Sequence, residues 1–74
     1  MPITKDSVIV QDPDIRSGEP VFRGTRVPFQ TLLDYLEGGE TLDDFLEHFP
    51  GVSRADAIAS LEEAKALLLA RFGR

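Results

Sequence analysis

Two arginines beside a tight turn are the side chains of this sequence best suited to hold a ligand. Residues 23–28 read Arg-Gly-Thr-Arg-Val-Pro, so Arg23 and Arg26 flank Gly24 and Thr25. A guanidinium group presents a rigid fork of donors that matches a carboxylate or a phosphate. The sequence therefore predicts one of two roles for both arginines: they bind an acidic group of a partner, or they pair with acids of the chain and fix the turn.

A run of acidic side chains follows the arginines. Residues 31–52 contain six carboxylates and no lysine or arginine, and we call them the acidic segment: Asp34, Glu37, Glu40, Asp43, Asp44 and Glu47. Like charges repel, and a basic protein surface would relieve that repulsion. The predicted partner-binding residues are Arg23, Arg26, Asp43, Asp44 and Glu47. The alternative is that the acids form only a solvated helix face.

Signals for catalysis or metal binding are weak. Asp44 and His48 have the i, i+4 spacing that places two ligands on one helix face. Two ligands without a third are more typical of a solvated face or of a helix C-terminus. The chain has no cysteine, and it has no phosphate-binding glycine loop or catalytic triad. We therefore predict a non-enzymatic protein without a cofactor or metal ion, and a small enzyme that uses the acidic segment is the weakest hypothesis.

Length and composition predict one small globular domain over residues 1–74. The chain is 42% hydrophobic and 28% charged, with a net charge of −5. Such a short chain without cysteine cannot be stabilised by disulfides, and self-association is a common substitute. We find no membrane-spanning run and no signal-peptide core. These features predict a cytoplasmic homo-oligomer, and the acidic charge disfavours tight DNA binding by a monomer.

Turn residues and apolar spacing indicate the elements that position these side chains. We expect disorder over residues 1–7, an extended β-ribbon within residues 8–27, and helices over residues 28–72. The fold class is mainly α, a small α+β domain. Gly24 is expected to have positive φ, Pro28 to occupy the first turn of a helix, and Thr25 to cap that helix.

Three helices are predicted behind the ribbon. The first runs from Pro28 to about Glu37, the second from Leu42 to about His48 behind the N-cap Thr41, and the third from the N-cap Ser53 to about Phe72. The last two have the connectivity of a helix-turn-helix. In a DNA reader, the start of the third helix would face the major groove, and its candidate contacts are Arg54 and Ser60.

The end of the third helix is apolar on nearly all sides. Residues 66–70 read Ala-Leu-Leu-Leu-Ala, and a chain of this size has too little core to cover them. Leu61, Leu68 and Phe72 approximate a heptad seam. We therefore predict that these three residues form the interface of a homodimer or higher oligomer.

Many of these signals together resemble domain-of-unknown-function family 433. The resemblance covers residues 9–70 and is carried by Ile9, Asp12-Pro13, Ile15, Gly18, Pro20-Val21-Phe22, the 23–28 segment, Leu32-Leu33, Gly39, Phe49-Pro50 and the Ser53-capped helix. It implies a helix-turn-helix protein without agreed catalytic residues. It also implies the antitoxin half of a toxin–antitoxin pair, which binds a PIN-like ribonuclease and, as a dimer, its operator DNA. The alternative is a stand-alone helix-turn-helix DNA-binding regulator.

Overall fold

A computed structural model describes residues 7–73 as a two-stranded β-ribbon followed by three α-helices. The elements are β1 (Ile9–Val10), β2 (Val21–Phe22), α1 (Phe29–Glu37), α2 (Leu42–His48) and α3 (Arg54–Ala70), with a short 3-10 turn (Arg16–Gly18) between the strands. This order confirms the predicted fold class, a mainly α, small α+β domain. The disorder expected for residues 1–6 lies outside the described residues.

The ribbon is antiparallel, with Ile9 opposite Phe22 and Val10 opposite Val21. Its N-terminal end is attached to α3. The Ser7 hydroxyl donates a hydrogen bond of 2.6 Å to one carboxylate oxygen of Glu63, and the Val8 N–H donates one of 3.1 Å to the other oxygen. Ser7 was expected in a disordered terminus, but it is only 6% exposed because this carboxylate holds it.

Helix α1 begins one residue later than predicted. Pro28 precedes it at the N-cap position, with an extended ψ of 144°, because Pro28 also forms a bridge with Val21 of the ribbon. Thr25 was expected to cap this helix, but the first helical N–H, that of Phe29, donates to the Pro20 carbonyl at 3.1 Å. The ribbon therefore supplies the start of α1 with its acceptor.

The other helix ends follow local sequence signals. Gly39 has φ of 92°, and the Glu40 N–H donates across it to the Tyr35 carbonyl at 2.9 Å, which ends α1 in a Schellman-type turn. Thr41 caps α2 through a reciprocal capping box, and Ser53 caps α3. Local side chains thus separate three helices within a short stretch of chain.

The core lies where the ribbon, α1, α2 and the start of α3 meet. Its buried members are Phe22, Leu32, Phe45, Val52 and Ala57. The Phe22 and Phe45 rings lie 6.1 Å apart between their centroids. Each large apolar side chain that is fully buried contributes roughly 1.5–3 kcal/mol. This single cluster therefore accounts for much of the stability of the domain.

Only the first part of helix α3 packs against the core. The packed half of α3 (54–61) includes the buried Ala57 and Ser60 and ends at Leu61, which packs against the core. The exposed half of α3 (62–70) continues away from the core, and the helix ends at Ala70, slightly before the predicted end near Phe72. The large apolar residues that it exposes, with the one that follows it, are Leu67, Leu68, Leu69 and Phe72.

Candidate functional site

The turn that carries the two arginines is held by Thr25. Its hydroxyl donates to the Phe22 carbonyl at 2.8 Å and accepts from the Val27 N–H at 3.0 Å. Gly24 has φ of 75° and no heavy atom within 4 Å of where a Cβ would lie. Glycine is therefore favoured here by the left-handed backbone and not by crowding. Thr25 thus fixes the turn and does not serve as a helix cap.

The turn meets the start of α3. The Arg23 guanidinium lies 3.7 Å from the Asp56 carboxylate, and the Arg54 guanidinium is paired with Asp43 of α2. These pairs link the turn and α2 to the first turn of α3. Arg26 is exposed and forms no ion pair with any residue between 7 and 73. The structure thus brings Arg23 and Arg54 together with acids of the chain itself, whereas Arg26 projects a charge at the surface.

The acidic segment divides into acids with structural contacts and acids that face solvent. Asp44 closes the capping box: its carboxylate accepts from the Thr41 N–H, and its own N–H donates to the Thr41 hydroxyl, both at 3.0 Å. The hydrogen bond from the Thr41 N–H, followed by that from its hydroxyl, lowers the pKa of Asp44. Glu37 and Glu47 are exposed. Of the predicted partner-binding acids, Asp43 and Asp44 therefore already have contacts within the chain, and Glu47 is open to a ligand.

His48 does not combine with the Asp44 carboxylate as a pair of ligands. Its Nδ1 lies 2.9 Å from the Asp44 backbone carbonyl, and its ring lies 5.8 Å from that of Tyr35. The Asp44 carboxylate is directed to Thr41 instead. Within residues 7–73, no group of three acidic or histidine side chains is arranged to hold a metal ion.

The two candidate DNA contacts occupy different environments. Arg54 is at the surface, paired with Asp43. Ser60 is only 1% exposed, and its hydroxyl donates to the Ala57 carbonyl at 2.7 Å. Ser60 therefore does not offer its hydroxyl to a surface ligand. The signal was available in the sequence, because Ser60 lies three residues after Ala57 and shares its helix face.

The three predicted interface residues are also separated by the structure. Leu61 packs against the core, whereas Leu68 and Phe72 are 54% and 77% exposed. Beside the point where the core ends lies a groove of about 170 Å³, lined by Ile9, Phe29, Ser60, Glu63, Ala64 and Leu67. Neither this groove nor the Glu63 contact with Ser7 is predicted from the sequence, because both join residues that are far apart in the chain.

The helices between residues 7 and 73 include none with both the length and the apolar character needed to cross a lipid bilayer.

Comparison with known proteins identifies relatives of this arrangement. A crystal structure of a DUF433 member protein from Anabaena variabilis superposes with a TM-score of 0.71 at 26% sequence identity. The match covers 82% of this chain and 60% of that chain. No curated protein matches the sequence. The family described as "Protein of unknown function (DUF433)" matches residues 9–64, which contain the ribbon, α1, α2 and the packed half of α3. This chain therefore belongs to the DUF433 family.

Proposed function

We propose that this protein is a non-enzymatic, antitoxin-like binding protein that acts as a dimer and whose partner is a PIN-like ribonuclease toxin. The observation that carries the proposal is the exposed half of α3. It holds three consecutive leucines, and all three are exposed. A contiguous apolar surface on a small domain is typical of a protein-binding site.

Charge favours a basic partner. The acidic segment contains no lysine or arginine, and Glu37 and Glu47 on α1 and α2 are exposed. A ribonuclease must attract phosphates, so its substrate groove is positively charged. Opposite charges of this kind increase the rate of association, while apolar contacts supply most of the affinity. The acidic segment and the exposed half of α3 thus have complementary roles in the proposed complex.

Operator binding is the second part of the antitoxin role that the resemblance implies. The geometry lends less support to this part. Arg54 at the start of α3 is paired with Asp43, and Arg23 lies beside Asp56. DNA binding requires cations that neutralise phosphates. For this reason we place protein binding first and rank a stand-alone DNA-binding regulator below it.

The experiment begins with co-purification of the tagged protein from its native cell and identification of the captured protein. The captured protein is then assayed for ribonuclease activity on single-stranded RNA, with and without an equimolar amount of this chain. We expect a nuclease whose activity this chain suppresses. A captured protein without ribonuclease activity, or one whose activity is unchanged by this chain, would contradict the proposal.

A matched pair of variants tests the role of charge. Glu37→Gln with Glu47→Gln removes two exposed charges from the acidic segment without touching the Asp44 capping box. Asp14→Asn with Glu19→Gln makes the same change of net charge at two acids of the loop between β1 and β2, outside that segment and outside α3. Asp14 is exposed, and Glu19 forms an exposed pair with Arg16 that has little energetic weight. We expect only the first pair to slow association with the nuclease and to reduce its dependence on salt. Equal association rates for the two double variants would indicate that the acidic segment is only a solvated surface.

A further inference from the structure

One face of α3 continues from the core into solvent. Helical residues three, four and seven apart share a face. In the packed half this face carries the buried Ala57 and Ser60, and Leu61, which packs against the core. In the exposed half the same face carries Ala64, Leu67 and Leu68, and Arg71, the C-cap of the helix, follows at the same spacing. We call these four residues the α3 stripe. The sequence thus continues a core-facing pattern beyond the end of the core.

The groove beside the α3 stripe opens to solvent where the core ends. Ala64 and Leu67 of the stripe line it together with Ile9 of β1 and Phe29 of α1. Its lining is almost entirely apolar, with the Glu63 carboxylate at its edge occupied by Ser7 and Val8. The groove and the stripe therefore form one apolar surface that extends the core.

We infer that a second copy of this chain covers this surface, with the exposed halves of the two α3 helices antiparallel. The inference rests on the proposed function, which assigns the exposed half of α3 to protein contacts, and names the occupant of one of its faces. A two-fold axis between Leu67 and Leu68 places the same residues on both sides of the contact. The stripe of each copy then packs against the stripe and groove of the other.

Charge selects the antiparallel arrangement. Within residues 7–73, Arg71 forms no ion pair, and Glu63 accepts hydrogen bonds but has no cation beside it. The two side chains lie eight residues apart, roughly 12 Å along the helix. Antiparallel helices bring Arg71 of one copy to Glu63 of the other, at both ends of the contact. Parallel helices would place each charge opposite its own counterpart, which is unfavourable.

The available area is sufficient for a small specific interface. At about 200 Å² for a large apolar side chain, the exposed parts of Leu67, Leu68 and Phe72 amount to roughly 340 Å² per copy. Ala64, the stem of Arg71 and the groove raise the covered area to the order of 500 Å² per copy, or ~1,000 Å² in total. A total of this size reaches the lower limit of specific interfaces.

Two neighbouring leucines provide a matched test. Leu68 and Leu69 are 54% and 55% exposed, but they differ by roughly 100° around the helix, so that only Leu68 belongs to the stripe. We expect the wild-type chain to sediment as a dimer at micromolar concentration. Leu68→Asp should raise its dissociation constant by at least about tenfold, because a charge replaces buried apolar surface. Leu69→Asp should leave the dimer intact.

Cysteine cross-linking tests the orientation separately, in a chain without native cysteine. In the proposed dimer, position 64 of one copy faces position 71 of the other. Mixed oxidation of Ala64→Cys and Arg71→Cys chains should therefore give a 64–71 disulfide, whereas neither variant should cross-link efficiently with itself. Cα atoms must approach within about 7 Å for a disulfide to form. Efficient cross-linking of each variant with itself would indicate parallel helices and overturn the inference.

These experiments use the purified chain alone. A monomeric wild type, or equal loss of the dimer in Leu68→Asp and Leu69→Asp, would overturn the inference while leaving the nuclease assay of the proposed function as an independent result. A dimer with the 64–71 disulfide would support the inference even if no nuclease were captured. Failure of one proposal is thus distinguishable from failure of the other.

Discussion

The two halves of α3 differ in what surrounds similar apolar residues. Ala57 in the packed half is fully buried and Leu61 contacts the core, whereas Leu68 in the exposed half is more than half accessible. The DUF433 match ends at residue 64, close to the boundary between the halves. Both halves are helical and rich in apolar residues, so helical propensity and apolar content do not distinguish them. What distinguishes them is whether the ribbon, α1 and α2 reach far enough to cover the helix.

We expect this difference to separate stability from binding. The packed half completes a core in which each residue is covered by others of the same chain, so substitutions there alter the free energy of unfolding. The exposed half has few neighbours of its own, so substitutions there should alter association and leave the monomer folded.

Truncation of two phenylalanines, one in each environment, should give the widest contrast. Phe45 is fully buried at the centre of the core, whereas Phe72 beyond the exposed half is 77% accessible. Phe45→Ala should lower the free energy of unfolding by about 3–5 kcal/mol, because it leaves a cavity. Phe72→Ala should lower that of the monomer by less than about 0.5 kcal/mol. Urea denaturation, at protein concentrations too low for the proposed dimer to form, measures both free energies of unfolding. Similar losses in the two variants would contradict the proposed separation of stability from binding.

A backbone substitution at the arginine turn should have an intermediate effect. Gly24 has φ of 75°, a conformation that a β-branched residue adopts only with strain. Gly24→Val should therefore destabilise the domain by about 1–3 kcal/mol. Gly51→Ala is the control, because a Cβ there would meet Thr25 Cγ2 at an ordinary 3.9 Å and the backbone has no positive φ. Equal melting temperatures for the two variants would show that the turn does not require glycine.

The sequence predicts those parts of the fold that depend on near neighbours. The caps at Thr41 and Ser53 and the stop at Gly39 are readable because each involves residues within a few positions. Ser7 and Glu63 are 56 positions apart in the chain, so no pattern of neighbouring residues predicts their contact. The sequence therefore predicted disorder as far as residue 7, whereas the structure shows Ser7 and Val8 hydrogen-bonded to Glu63.

The candidate site shows the same limit. The sequence identified Arg23 and Arg54 as possible ligand-binding cations, but it could not assign Asp56 and Asp43 as their neighbours. It also identified an apolar end of α3 without showing where the core stops covering it. Leu61, Leu68 and Phe72 were therefore grouped, although the first packs inside and the other two are exposed. The apolar periodicity of a sequence indicates which face of a helix is apolar. It does not indicate where along the helix the core ends, because that depends on the tertiary packing of the other elements.

The smallest expected effect is a pH dependence confined to the start of α2. The Thr41 N–H and hydroxyl stabilise the ionised Asp44 carboxylate, so the pKa of Asp44 is lower in the folded chain than its ordinary value of 3.8. His48, which faces Asp44 from the end of the same helix, acts in the same direction more weakly. A carboxyl with a depressed folded pKa contributes stability that is present above the unfolded pKa and is lost as pH falls through the folded value. The stability difference between the wild type and Asp44→Asn should therefore be constant at neutral pH and shrink only below about pH 4. Because Asp44 lies at the surface, we expect this change to be small beside that of Phe45→Ala.

Chemical denaturation of the wild type and of Asp44→Asn across an acid pH series measures this stability difference, and the Thr41 amide resonance reports the state of the capping box. A difference that stays constant down to the acid limit would show that the cap depends on hydrogen-bond geometry and not on the carboxylate charge.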